Sequence, residues 1–464
     1  MRLASRHTLT LFLLLALPLA AQELPAPART DIDQAVTEIL ARTGTPSASV
    51  AVVKGGAIVY EHAYGNARLD PPVAATSQMR YSIGSISKQF TATAVLLLAE
   101  DGKLSLDDRV VRWLPELTRA RDVTIRQILS MTSGYQDFWP QDYVMPMMLQ
   151  PVTPPEIARG WAQKPLDFDP GTKWQYSNTN YVIAGMIVER VSGMPLIDLL
   201  HKRVFDPLAM TSVFNSDESG LPANEPMRYM RYALGPLRPA PKEGRGWMFA
   251  AGELAMTAHD LALWDISMIK QSVLQAASYR ALESEVPLNS GVGSHYGLGV
   301  SVAMTEGRRV ISHGGEVSGF TATNQVYPDD NVAIVVLTNM DATSASSDIA
   351  TKIAKLLFAT TDKETQTTLA QMRGIFEGLQ KGKLDRALFT SNANAYFTTL
   401  AIGDFASSLG PLGKPTEFTE SAQSLRGGMT LRRYKIVFPK KTLRLTTFIL
   451  PDGKIEQYQI AAEE

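Results

Sequence analysis

The chain has 464 residues and a formal charge of −1, a length that exceeds one average domain and is ample for a large core. Its 45 Lys and Arg against 46 Asp and Glu are dispersed, leaving no nucleic-acid footprint, and the absence of cysteine excludes disulfides, thiolate metal sites and a lipid-modified Cys. The six histidines (7, 62, 201, 259, 295, 313) show no ligand spacing, so neither a metal nor a cofactor is expected.

Arg2 and Arg6 precede an apolar run over residues 9–17, then Pro18-Leu19-Ala20-Ala21. This positive, apolar, small-residue order predicts a secretory signal over residues 1–21, cleaved after Ala21, and a secreted or periplasmic protein. The apolar stretch is short for a membrane span, so no stable span is expected after cleavage. Residues 47–53 and 57–64, joined through Gly55-Gly56, read as an opening β-hairpin.

From Ser85 the chain runs through apolar helix formers without Gly or Pro until Gly102. Ser85-Ile86-Ser87-Lys88 therefore places a hydroxyl at a helix start, where free backbone N–H groups and the dipole favour negative charge. Lys88, three residues on, shares its face and could take the hydroxyl proton. The plain alternative is a capping serine followed by a solvated lysine. A second Ser-x-x-Lys, Ser267 to Lys270, sits inside the periodic stretch 257–269 and suits that plain reading better.

After the Pro170-Gly171 turn, Tyr176-Ser177-Asn178 leads into an apolar helical run. Residues two apart point the same way in an extended segment, so Tyr176 and Asn178 can face one site. A phenol titrates near 10, and a neighbouring Lys88 is expected to lower that value and make Tyr176 a usable base. Asn178 offers a donor and an acceptor for Lys88 or a substrate amide.

Residues 308–312 read as a strand running into His313-Gly314-Gly315, followed by strands over 319–327 and 331–338 in an antiparallel meander. Glycines on a strand edge permit close approach of a backbone or ligand. The backbone N–H groups of Ser85 and Glu316 could then receive a developing oxyanion.

These motifs, in this order, resemble the serine β-lactamase and penicillin-binding protein superfamily, in its class C-like branch with esterases and D-peptidases. The likeness covers roughly residues 35–358 and extends to Thr124-Ile125-Arg126-Gln127-Ile128-Leu129, to Thr132-Ser133-Gly134-Tyr135, to the segment from Phe168 to Asn178, and to Ala250-Ala251-Gly252-Glu253-Leu254. It implies an α/β (α+β) fold: an antiparallel sheet flanked by helices with a helical subdomain, over residues 22–358. It also implies an acyl-enzyme on Ser85, with Lys88 and Tyr176 sharing proton transfer and Asn178, His313, Gly314, Gly315 and Glu316 binding a small-molecule or peptide substrate. Which of Lys88 and Tyr176 is the formal base stays open.

The third motif departs from the Lys-Thr-Gly common in β-lactamases and carboxypeptidases of the group. A histidine with an ordinary pKa near 6.5 is mostly neutral at pH 7, so the carboxylate anchor is weakened. An esterase or D-amino-acid peptidase is therefore expected ahead of a β-lactamase, a D,D-carboxypeptidase or a non-hydrolytic acyl-binding sensor. Tyr135, Phe138, Trp139, Tyr143 and Trp174 are candidates for an aromatic side pocket.

Residues 359–366 read as a linker, and 367–464 as a small α+β domain that resembles NTF2-like or cystatin-like appendages. Helical patterns cover 369–379 and 384–396, and four strand-like runs follow between about residues 418 and 460. No catalytic constellation stands out there.

Overall fold

A computed structural model describes residues 23–463 apart from 142 and 306, so the expected signal segment lies outside the described residues. The chain divides into two units, one ending at Leu356 and the other spanning Leu357–Glu464. No described helix is long and apolar enough to cross a membrane.

The first unit begins with α1 (Ala26–Thr43), closed by Gly44 in the left-handed conformation at φ 70°. The predicted hairpin follows as β1 (Ser47–Lys54) and β2 (Ala57–Leu69), turning through Gly55 and Gly56, both at positive φ. The helix starting behind Ser85 is α2 (Ser87–Glu100), preceded by a 3₁₀ turn, Gly84–Ile86, that holds the serine. Later come α3 (Asn178–Ser192) and α4 (Ala258–Lys270). Thr257 caps α4 by accepting the Asp260 N–H at 3.1 Å.

The meander is β3 (Ser301–Thr305), β4 (Arg308–Val317), β5 (Phe320–Tyr327) and β6 (Val332–Thr338). β6 pairs with β1, so both ends of the unit build one antiparallel sheet of seven strands. Its order is Pro72–Ala74, β2, β1, β6, β5, β4, β3. Every residue of β6 is buried, as are the first seven of β1, which fits an unbroken Val, Ile and Ala run rather than alternation. Helix α4 packs on β1, β2, β5 and β6.

Helix α2 is enclosed, with every residue from Ser87 to Leu98 buried. A lysine on this helix is therefore taken out of water, and that fact governs the site. A small sheet joins Tyr81–Ser82, Leu254–Met256 and Phe214–Asn215, an element the sequence did not announce because its strands have two or three residues each.

In the second unit, four antiparallel strands follow the predicted turns: β7 (Glu417–Arg426), β8 (Met429–Phe438), β9 (Lys441–Ile449) and β10 (Ile455–Glu463). Tyr434, Ile436 and Phe438 alternate onto one face and meet Met372, Phe376 and Leu379 at helical spacing. The stretch read as a linker differs from expectation: a single helix, α5 (Ala345–Gln380), contains residues 359–366. No Gly or Pro interrupts the sequence from residue 345 to 373, so nothing local ends the helix there. The pattern at 384–396 resolves into a 3₁₀ turn, Arg386–Leu388, and α6 (Ser391–Tyr396), with a further helix, α7 (Thr399–Leu409), after it.

Candidate active site

Lys88 is fully buried, and its Nζ donates to Ser85 Oγ, Asn178 Oδ1 and the Ala251 carbonyl, each at 2.8 Å. Burial pulls its pKa down from 10.5 to about 7, against the opposing field of Asp137. The Tyr176 hydroxyl bonds with Ser85, and the Tyr176 ring centroid lies 4.9 Å from Lys88 Nζ. Ser85, Lys88, Tyr176 and Asn178 therefore meet, as their spacing and order led one to expect.

The expectation for the Tyr176 pKa fails. Burial raises it well above the ordinary phenol value, only partly offset by the Ser85 hydrogen bond. A lysine that is itself close to neutral offers the phenolate little charge, so desolvation wins. Burial thus moves the two groups in opposite senses, the amine down and the phenol up.

Asn178 opens α3, and its backbone N–H is capped by Asp137 Oδ1 at 2.9 Å. The other Asp137 oxygen accepts from Asn178 Nδ2 at 3.4 Å, which fixes the amide with its oxygen toward Lys88. Asp137 escaped the sequence reading; its one signal is its place just after Thr132-Ser133-Gly134-Tyr135. That segment is laid against the Tyr-Ser-Asn segment by backbone bonds, Gly171 N to Thr132 O at 2.8 Å and Gln175 N to Met131 O at 3.0 Å.

The Gly-rich strand edge lies against the serine turn. A Cβ on Gly315 would come 1.9 Å from the Ile83 carbonyl oxygen, and one on Gly84 would come 2.7 Å from Glu316 N. Outer strand β3 pairs with β4 only over Arg308 to Ser312, and the motif begins at the next residue.

His313 is buried and engaged on both ring nitrogens. Nδ1 lies 2.6 Å from the Gly314 carbonyl, which can only accept, so the proton sits on Nδ1. Nε2 is then the acceptor for the Tyr296 hydroxyl at 2.9 Å. Burial and the nearby Lys88 push the imidazole down to about 4, so it is neutral at pH 7, as the sequence suggested.

An open cavity of about 1090 Å³ lies in front of Ser85. Among the described residues its charged lining is Asp137, Glu316 and Asp341 against Arg231, whose guanidinium donates to the Thr43 carbonyl at 2.6 Å. Of the five aromatic candidates, Trp139 and Tyr143 line this cavity. The others do not. Tyr135 is buried with its hydroxyl on the Thr118 carbonyl, Phe138 packs in a core with Trp161 and Trp247, and Trp174 leans on Tyr296. Packing claims Tyr135 and Phe138, whose rings are buried, whereas Trp174 stays exposed away from the cavity lining.

The second Ser-x-x-Lys is structural: Ser267 bonds back to the Trp264 carbonyl at 2.7 Å within α4. Among the described residues no cluster of three His, Asp or Glu side chains could hold a metal ion.

Comparison with known proteins agrees with this geometry. A D-aminopeptidase of Brucella anthropi is 29% identical over 313 residues, covering 67% of this chain and 59% of its own length. The chain thus spans about three fifths of that relative. Penicillin-binding protein 4* of Bacillus subtilis is 28% identical, with 66% of this chain and 71% of its own length covered. The crystal structure of a D-stereospecific amidohydrolase from Streptomyces sp. superposes with a TM-score of 0.61 at 27% identity, over 69% of this chain and 96% of that one. The Beta-lactamase family model matches residues 32–357, and with Ser85, Lys88, Tyr176 and the 313–315 edge assembled inside that span, the chain belongs to the Beta-lactamase family.

Proposed function

We propose that the protein is a serine hydrolase that cleaves amide bonds through an acyl-enzyme on Ser85, acting on D-amino-acid amides or peptides with a free amino group. The observation that carries this reading is the Lys88–Ser85 contact with the amine pulled to about 7. A neutral amine has two N–H groups and one lone pair. Asn178 Oδ1 and the Ala251 carbonyl can only accept, so they take both N–H groups and leave the lone pair for the Ser85 hydroxyl proton.

Ser85 Oγ attacks the carbonyl carbon as Lys88 takes its proton. The oxyanion is received by the backbone N–H groups of Ser85 and Glu316. As the C–N bond breaks, Tyr176 passes its hydroxyl proton to the leaving nitrogen and is refilled from the ammonium of Lys88. Water then attacks the ester, giving one proton to the neutral Lys88 amine, and as the C–Oγ bond breaks the ammonium returns that proton to Ser85 Oγ, leaving the free serine and the neutral amine.

The substrate class rests on charge. Three carboxylates and one arginine line the described cavity, and His313 adds no charge. Such a lining favours an ammonium over a carboxylate. The names of the relatives, D-aminopeptidase and D-stereospecific amidohydrolase, support the same choice. β-Lactamase or D,D-carboxypeptidase action is the second reading, favoured by the likeness to penicillin-binding protein 4* but lacking the cation of Lys-Thr-Gly.

Turnover of D-alanine p-nitroanilide, its L-enantiomer, p-nitrophenyl butyrate and nitrocefin tests the proposal. The D-anilide should exceed the L-anilide and nitrocefin in kcat/KM, and N-acetylation of the D-anilide should lower kcat/KM about 10-fold or more. Ser85→Ala should abolish all turnover. Undiminished turnover in that variant would rule out the nucleophile, and stable acylation without release would mark a sensor.

A further inference from the structure

One face of α2 grips the segment from Ala250 to Leu254. Ser87 Oγ accepts the Leu254 N–H at 3.1 Å, Lys88 donates to the Ala251 carbonyl at 2.8 Å, and Thr91 Oγ1 donates to the Ala250 carbonyl at 2.7 Å. The segment is tightly shaped: Ala250 has a φ of 57°, a left-handed backbone that a non-glycine residue adopts only when its surroundings enforce it.

Glu253 is what closes it. This side chain is buried, and Oε1 accepts the Ala250 N–H at 3.1 Å while Oε2 accepts from Asn215 Nδ2 at 2.7 Å. Its own carbonyl accepts the Ser216 N–H at 2.8 Å, so one residue ties the segment to the 215–216 strand end. Gly185 of α3 backs the arrangement, since a Cβ there would come 2.5 Å from the Ala250 methyl.

We propose that Glu253 is a positioning residue for Lys88: by accepting the Ala250 N–H its carboxyl fixes the backbone of residues 250–251, so that the Ala251 carbonyl takes one amine N–H and turns the lone pair toward Ser85. This deepens the hydrolase reading and rests on it.

The charge state follows from the surroundings. Burial first, then the facing carboxyl of Asp217, with Glu189 adding to it, pushes Glu253 up to about 8. Asp217 is itself pushed up to about 6 by burial, with Gly246 N–H, Lys242 and Met248 N–H opposing and Glu243 adding to the rise. Among the described residues Glu253 has no ion-pair partner. Near neutrality it therefore holds a proton that an unfolded chain releases around the ordinary glutamate value of 4.5. Stability from this group declines as pH rises through that window, and above about 8 the segment carries a buried anion.

The test uses the full chain, D-alanine p-nitroanilide and two variants. Glu253→Leu removes both acceptors. It should lower kcat about 10- to 100-fold with KM within about 3-fold, and shift the acidic limb of the pH profile, because a misplaced amine titrates differently. Glu253→Gln keeps an oxygen for the Ala250 N–H and cannot ionise, so it should retain most of kcat at pH 7 and lose the alkaline limb near 8. Glu253→Leu with a lowered melting temperature but wild-type kcat and limbs would overturn the proposal. If Glu253→Leu does not fold, a wild-type alkaline limb in Glu253→Gln overturns it. Full turnover by Ser85→Ala would instead sink the hydrolase reading itself, so the two failures are distinguishable.

Discussion

Lys88→Met should lower kcat/KM by about 10⁴-fold while leaving the chain folded, and the acidic limb near pH 7 should vanish from whatever activity remains. Methionine is close to lysine in length and sits in an enclosed helix, so the volume is conserved. What goes is the lone pair. The pH dependence has a definite sign: below about 7 the amine is protonated and cannot take the Ser85 proton, so wild-type kcat/KM rises with pH through that value. Tyr176→Phe makes the contrast. It should cost about 10²-fold through lost proton delivery but keep the limb near 7, because the limb belongs to the lysine. A limb that disappears with Tyr176→Phe and survives Lys88→Met would reverse the two roles.

That assignment also marks where sequence reasoning stops. The Ser85 turn, the Tyr176 to Asn178 approach and the 313–315 edge were legible because each carries a local rule: a helix start, alternation in an extended stretch, glycines on a strand. The sheet was legible for the same reason, since its hairpin and meander have period and turn chemistry. The proton inventory was not. Which of Lys88 and Tyr176 is poised depends on how deeply α2 is enclosed, a property of the packing around the helix and not of the motif. Asp137 and Glu253 were missed likewise, as each acts through a backbone N–H or carbonyl brought near by folding. The aromatic residues show the converse error. Proximity in sequence to the motif suggested a pocket, yet Tyr135 and Phe138 face inward, and of the five candidates Trp139 and Tyr143 line the cavity.

Gly315→Ala should abolish measurable turnover or reduce it at least 10²- to 10³-fold, the scale of losing one oxyanion donor with the nucleophile displaced. The added methyl would stand 1.9 Å from the Ile83 carbonyl oxygen and 2.8 Å from its carbon, both rigid backbone just before the Ser85 turn. No side chain can swing aside there, so strand β4 and the turn must part, and the Glu316 and Ser85 amides part with them. Overpacking of this kind costs about 1–3 kcal/mol, a loss that a chain with so large a core should survive as a folded protein. Gly314→Ala supplies the control on the next residue. A Cβ there meets nothing nearer than the Ala322 carbonyl oxygen at 3.9 Å, and Gly314 lies on the cavity wall. It should melt like the wild type and alter KM by a few-fold at most, with kcat nearly unchanged. Equal kinetics for Gly315→Ala and Gly314→Ala would mean that the strand edge does not set the position of the nucleophile. A large loss confined to Gly315→Ala would tie turnover to that single close approach of two backbones.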